Sequence, residues 1–353
     1  MMKEKERGGA MRIRPKSETG IPVIMQFYAK YEAVIAVCFL AVFIAIPVVV
    51  DKRYVTNILI DCCRYSVLAL SLNLLAGFMG MTSLGHAAFY GIGAYTAAIM
   101  STRLGTPFLV NFLCAFLIAG AFGFVVGLPT LRIKGRYLPI ITMGFCEIIR
   151  LVELNWMSFT RGAMGIGNIP TFFLFGIRLK EPMQRFAIAL IMALLTLWVV
   201  HAIVNSRTGR AIMTIRDDET AAGFMGINVF YYKVLIFTIS AALAGVAGAF
   251  YAHNTKFIDS TLFTFDESIT ILCMIILGGM GSIPGSIIGA IIFAILPELL
   301  RDYVQYRPII YGFIIIIMVI VRPKGILGGY NAKYIRQKMR GFAGAEGKEA
   351  QHG

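Results

Sequence analysis

SRTGRAIMTIRDDETAAGFMGIN, residues 206–228, sets six charged side chains between two apolar runs, 186–204 and 234–251. Each run approaches the roughly 20 residues that a helix needs to cross a bilayer. The stretch between them is too polar to follow them into lipid. The chain therefore leaves the membrane near Ser206 and returns after Asn228.

The composition agrees with this reading. Of 353 residues, 58% are hydrophobic and only 15% charged, against about 25% charged in ordinary globular chains. There is material for several membrane spans and none for a large soluble domain. The net charge of +14 is spread over the two ends and short loops rather than gathered on one face, which argues for membrane topology and against nucleic-acid binding. The polar first thirty residues are too long for the charged start of a signal peptide, and no small-residue cleavage site follows, so the first apolar run is expected to stay as an anchor.

Hydropathy places ten transmembrane segments, near 33–50, 56–78, 85–102, 108–128, 137–156, 186–204, 230–251, 268–281, 284–297 and 309–321. The expected fold is an all-α, polytopic integral membrane protein. The eighth and ninth segments are short and separated by Gly278, Gly279, Gly281, Pro284 and Gly285, so full spans and a broken, re-entrant pair both stay open. A polar segment at 1–32 and a basic tail at 322–353 flank this transmembrane domain. With the N-terminus inside, ten spans return the C-terminus inside, and 20 Lys and Arg then fall on the inner side against 10 outside, as the positive-inside rule requires. Residues 205–229 become a cytoplasmic loop. Steps such as Gly123 and Gly127, Ala244 and Gly248, and Gly281, Gly285 and Gly289 would let helices approach closely.

Within that loop, a Ser start and good helix formers predict one short helix to Arg216. Asp217 or Asp218 can cap a second, with Glu219 in its first turn and Gly226 at its end. A plain connection between antiparallel spans needs 2 to 8 residues. A longer, rigid one either lies on the headgroups or docks in a groove of a cytoplasmic protein and transmits its motion. TAAGFMG, residues 220–226, resembles the EAA-type coupling loop of ATP-binding-cassette importer permeases, with Thr220 where that pattern has Glu. MTSLGHAAFYGIGAYTAA (81–98), GLPTLRIKGRYLPIITMGFCEIIRLVELNW (127–156), SRTGRA with AAGFMGIN, and ILGGMGSIPGSIIGAIIFAILPELLR with VRPKGILG resemble the LivM-type permease of branched-chain amino-acid importers. Met81, where that family often has Gln, and Arg161 to Met164 depart from it.

The resemblance implies a heterodimer with a second permease in a prokaryotic inner membrane, both termini cytoplasmic. It also implies two cytoplasmic ATPases that use ATP and Mg, and an extracytoplasmic binding protein that lands on the loop from Met157 to Arg185. No cofactor is implied for this chain. The coupling residues would be Gly209, Arg210, Arg216, Asp217, Asp218, Glu219, Thr220, Ala221, Ala222 and Gly226. By the same likeness the solute is a branched-chain amino acid, with urea or short amides the cargo of related permeases.

Inside the spans, charge and polarity mark further candidates. Asp61 and Arg64 share a helix face and can form an ion pair. Glu147, Arg150 and Glu153 are spaced by three, so one carboxylate can neutralise Arg150 while the other faces a wet cavity, another arginine or an amino-acid ammonium group. Asn73 and His86 either bond across the helices or line a pathway. The cysteines, Cys38, Cys62, Cys63, Cys114, Cys146 and Cys273, read as buried thiols, and no metal-ligand spacing occurs. The chain lacks a GxxxxGK[ST] loop, HExxH and GxSxG, so it reads as a transport subunit without an ATPase site rather than an enzyme. A secondary, ion-coupled transporter would account for the broken segments and the carboxylates, but it needs no cytoplasmic insert.

Overall fold

The computed structural model describes residues 41, 43–47, 53–131, 137–174, 177–179, 181–322 and 325–328. Most of the first expected span, the segment 1–32, the basic loop residues Arg132, Lys134 and Arg136, Cys38 and nearly all of the tail lie outside the described residues. Residues 47–329 form one compact unit, and the description that follows concerns it.

Each of the other expected segments coincides with a helix. They are α1 (Arg53–Asn73), α2 (His86–Arg103), α3 (Phe108–Thr130), α4 (Leu138–Asn155), α5 (Pro182–Asn205), then two short helices α6 (Arg207–Asp217) and α7 (Glu219–Phe224), followed by α8 (Val229–Thr255), α9 (Phe265–Gly278), α10 (Ile283–Leu299) and α11 (Arg307–Val321). Strands β1 (Phe173–Leu174) and β2 (Ile177–Arg178) make a small antiparallel ribbon in the loop before α5. Four stretches are long and apolar enough to cross a membrane, Arg53–Phe78, Phe108–Thr130, Pro182–Asn205 and Val229–Thr255. At 14 residues, α9 reaches about 21 Å, short of the roughly 30 Å of bilayer hydrocarbon.

Helix α8 is the packing centre, lying against α3, α2 and α1. Glycines make these contacts close. A Cβ on Gly93 of α2 would run into the backbone of Gly245, and one on Gly248 into the backbone of Tyr90. Gly123 of α3 meets Ala241 in the same way, and Gly289 of α10 meets the backbone of Met274 on α9. Lipid gives helices no hydrophobic reason to associate, so backbone-to-backbone approach supplies the attraction instead. The outer faces of α3 and α5 carry exposed Leu113, Leu117, Val125, Ile191, Leu195 and Trp198, ordinary for surfaces that meet lipid.

Helix ends are satisfied by residues visible in the sequence. Ser206, Asp218, Asn228 and Ser282 each accept a hydrogen bond from a first-turn backbone N–H of the helix that follows, as N-cap residues do. The last turn of α9 is closed from a distance. Ile326 N–H and Leu327 N–H donate to the carbonyls of Leu277 and Gly278, both at 2.9 Å, which gives the GILG stretch after α11 a structural role.

Two single-methyl substitutions separate these contacts from ordinary helix positions. Gly93→Ala should lower the thermal unfolding midpoint in detergent, at a cost of about 1–3 kcal/mol for overpacking. Gly144→Ala, whose Cβ meets nothing within 4 Å, should leave the midpoint unchanged or raised by helix propensity.

Candidate functional site

The polar segment 206–228 folds as two helices broken by one residue, Asp218. Asp218 rather than Asp217 is the cap: its Oδ1 accepts from Thr220 N–H at 2.8 Å and Ala221 N–H at 2.9 Å. Gly226, at φ +81°, ends α7 with Ile227 N–H donating to the Ala222 carbonyl at 3.1 Å, a Schellman closure that a left-handed residue makes possible. Gly209 N–H donates to Ser206 Oγ, and a Cβ there would strike the Val204 carbonyl. Arg210, Asp217, Thr220 and Ala221 are exposed, and Ala222 is fully buried.

Three contacts fix this hairpin to the spans. Ile212 and Ile215, one turn apart on α6, are both buried. Lys233, near the start of α8 and within the apolar span, holds Glu219 of the hairpin at 2.6 Å. Arg216 packs over Gly80 and donates from Nη1 to the Gly77 carbonyl at 3.2 Å, with Asp217 beside it.

Gly77 lies in a π-helical turn, Leu74–Phe78, that ends α1. In an α-helix its carbonyl would accept from the N–H four residues on. That N–H, on Met81, bonds Leu75 instead, at 3.1 Å, which leaves the Gly77 carbonyl for Arg216. Asn73, one turn back and fully buried, bridges to the break between α9 and α10. Its Nδ2 donates to the Ser282 carbonyl at 3.1 Å and its Oδ1 accepts from Gly281 N–H at 2.9 Å. Asn73 thus bonds across the helices, and His86 does so too, sharing a hydrogen bond with Ser71 Oγ at 2.7 Å as the first residue of α2.

The intramembrane charges sort into three environments. Arg64 is buried and paired with Asp61 at 3.0 Å, donates to Tyr90 Oη at 2.8 Å, and lies over the rings of Tyr65 and Tyr251 at 4.0 and 5.0 Å. Arg150 Nε donates to both carboxylate oxygens of Glu147 at 3.0 Å on a partly exposed face. Glu153 is then the carboxylate left over. It is 4% exposed, no arginine among the described residues meets it, and both its oxygens lack a hydrogen-bond partner there. An uncompensated charge in such a place is costly. Cys62, Cys63, Cys146 and Cys273 are buried and Cys114 is half-buried.

Phe224 and Met225 are 88% and 81% exposed at the end of α7, apolar side chains presented by a largely polar hairpin. They fall inside TAAGFMG, but the sequence alone singles out neither of them there. On the opposite side, the loop from Met157 is tied to the end of α8 by an antiparallel bridge between Ile166 and Ile258 and by His253 Nδ1 against the Pro170 carbonyl at 2.8 Å. Arg185 adds a hydrogen bond to Asn254 at 3.1 Å.

Residues 54–322 match the family described as branched-chain amino acid transport system / permease component. The chain is 36% identical over 286 residues to the high-affinity branched-chain amino acid transport system permease protein LivM of Escherichia coli (strain K12), covering 74% of this chain and 67% of that protein. It is 27% identical to LivH of Salmonella typhimurium and 26% identical to BraD of Pseudomonas aeruginosa, both permease proteins of the same kind of system, covering 75% of this chain and 91% of each. No solved structure matches. The chain belongs to the family of permease components of branched-chain amino acid transport systems, as an integral membrane protein of mainly helical fold.

Proposed function

We propose that this permease is one of two in an ATP-binding-cassette importer of a prokaryotic cytoplasmic membrane, with both termini cytoplasmic. It passes branched-chain amino acids from an extracytoplasmic binding protein to the cytoplasm by alternating access. ATP and Mg act in two partner subunits, and this chain provides the path. The flanking regions 1–32 and 322–353 are polar extensions of the transmembrane domain.

The observation that carries this reading is the anchored hairpin α6–α7. A loop merely resting on headgroups has no need of two side-chain caps, a buried lysine bridge and an arginine strut into a π-turn. Those contacts make it stiff, and its free end offers Phe224 and Met225, the kind of apolar anchors that fit a groove on a partner. When the ATPases close, force applied at α7 passes through Glu219 to Lys233 on α8 and through Arg216 to the π-turn of α1. From there Asn73 carries it to residues 281 and 282 between α9 and α10. Turns of π-helix are frequent at such functional places because their altered bonding leaves backbone groups available.

The loop after Met157 is the landing surface for the binding protein in this reading. Its backbone is pinned to the end of α8, and exposed Arg161 and Lys256 present positive charge. Such surfaces raise association rates in a salt-dependent way.

Two experiments test the lever. Arg216→Glu should leave membrane insertion intact and lower leucine uptake by about tenfold or more, roughly 1.4 kcal/mol or more, while ATP hydrolysis by the assembled importer continues. Uptake at the wild-type rate would remove the coupling role. Separately, a cysteine at Phe224 should crosslink to an ATPase subunit in the working complex; reaction with lipid-phase and aqueous reagents alone would sink the docking of α7.

A further inference from the structure

Glu153 on α4 and Tyr95 on α2 are each 4% exposed. Neither carboxylate oxygen of Glu153 nor the Tyr95 hydroxyl has a hydrogen-bond partner among the described residues. The two groups border one ring, that of Phe263. A Cβ placed on Gly91 would stand 2.7 Å from Glu153 Oε1 and 3.0 Å from the Phe263 ring, so carboxylate and ring share the space that this glycine leaves. Tyr95, one turn beyond Gly91 on the same face of α2, meets Phe263 edge-on at 6.0 Å. Phe263 continues the aromatic wall to Tyr90 at 5.1 Å and Tyr251 at 6.4 Å.

Arg150, one turn from Glu153 on α4, gives its hydrogen bonds to Glu147. One carboxylate and one phenol supply too few oxygens for a bare calcium ion, which takes about six to eight. A carboxylate against aromatic faces does suit a primary ammonium group, which brings its own N–H donors and is drawn to ring faces. The site lies directly beneath the external loop, since Thr160 Oγ1 donates to the backbone carbonyl of Glu153 at 2.6 Å.

We propose that Glu153 and Tyr95 form an ammonium-recognition site on the solute pathway, Glu153 accepting from the α-ammonium group of an amino acid and Tyr95 donating to the same molecule's carboxylate. The proposal rests on the amino-acid permease reading. It explains why a buried carboxylate is left without a partner: its partner arrives with the solute. It also gives the loop above it a task, because movement of Thr160 on binding-protein docking acts on Glu153 itself.

The test uses the complete importer, with its partner permease, ATPases and binding protein, in proteoliposomes with leucine as the probe. Glu153→Gln keeps the shape and removes the charge. It should lower leucine uptake by about tenfold or more and leave the thermal unfolding midpoint unlowered, since Gln fills the same space. Glu153→Asp should recover part of the uptake, and Tyr95→Phe should reduce it less than Glu153→Gln does. Unchanged uptake in Glu153→Gln would overturn the proposal, because the group would then act as a neutral space-filler. Loss of uptake together with a lowered midpoint would also overturn it. Failure of the wild-type importer to take up leucine would strike the permease reading instead, and so is told apart from failure of the site.

Discussion

One backbone carbonyl joins the α6–α7 hairpin to α1. Were α1 to continue as a regular helix, Met81 N–H would take the Gly77 oxygen. After the π-turn that N–H bonds Leu75 instead, and Arg216 donates to the Gly77 oxygen. A guanidinium is suited to the place, since it stays charged, reaches through a long stem and has donors enough to hold Gly77 and Asp217 together. Gly77 itself must be bare: a Cβ there would collide with Asn73 Oδ1 and Gly281 N–H. One local departure from α-helical bonding thus brings α6, α1 and the α9–α10 break into a single network.

Helix α1 bears a succession of such fastenings along its length. Arg64 bonds Tyr90 of α2, Ser71 shares a hydrogen bond with His86 of α2 and accepts from Ser240 of α8 at 2.6 Å, and Asn73 reaches residues 281 and 282. Polar groups away from water must find partners within the protein, so each of these residues fixes a neighbour's position along the helix axis as well as its distance. The contacts of α8 with α2 and α3 are of another kind, small residues allowing backbones to touch. Shape-limited contacts hold helices together without specifying many donors and acceptors.

Much of this was legible because it is local. Apolar length located the helices to within a few residues, and Ser206 and Gly226 announced the ends of the inserted pair. The choice between Asp217 and Asp218 needed backbone geometry, as either side chain is placed to cap. Lys233 lies within the apolar helix α8, as hydropathy places it, but its bond to Glu219 became visible only with the geometry. With Glu147, Arg150 and Glu153, a spacing of three offers the arginine two equivalent carboxylates, and only the exposure of the surrounding face separates them. Glu147 sits where water or headgroups reach it, and Glu153 is enclosed by α2 and Phe263. Phe224 and Met225 lie in the TAAGFMG stretch, but their exposure was not legible there, since two apolar residues at the end of a short helix look the same whether they face a core or a partner.

The placement of unsatisfied groups follows a physical logic that distinguishes framework from working parts. A membrane protein can tolerate few orphaned polar atoms, because hydrocarbon provides no substitute partner. Arg64 is accordingly surrounded by a carboxylate, a phenol and two ring faces, and Asn73 uses both ends of its amide. Glu153 breaks that rule within the same helical bundle, close to residues that obey it. Neither poor packing nor lack of nearby donors accounts for the exception, since Arg150 lies one turn away and turns to Glu147 instead. On the importer reading, the arrangement has a use: an arginine held by Glu147 cannot occupy the carboxylate that an incoming ammonium needs, and a site satisfied only by its visitor releases it again when the helices move.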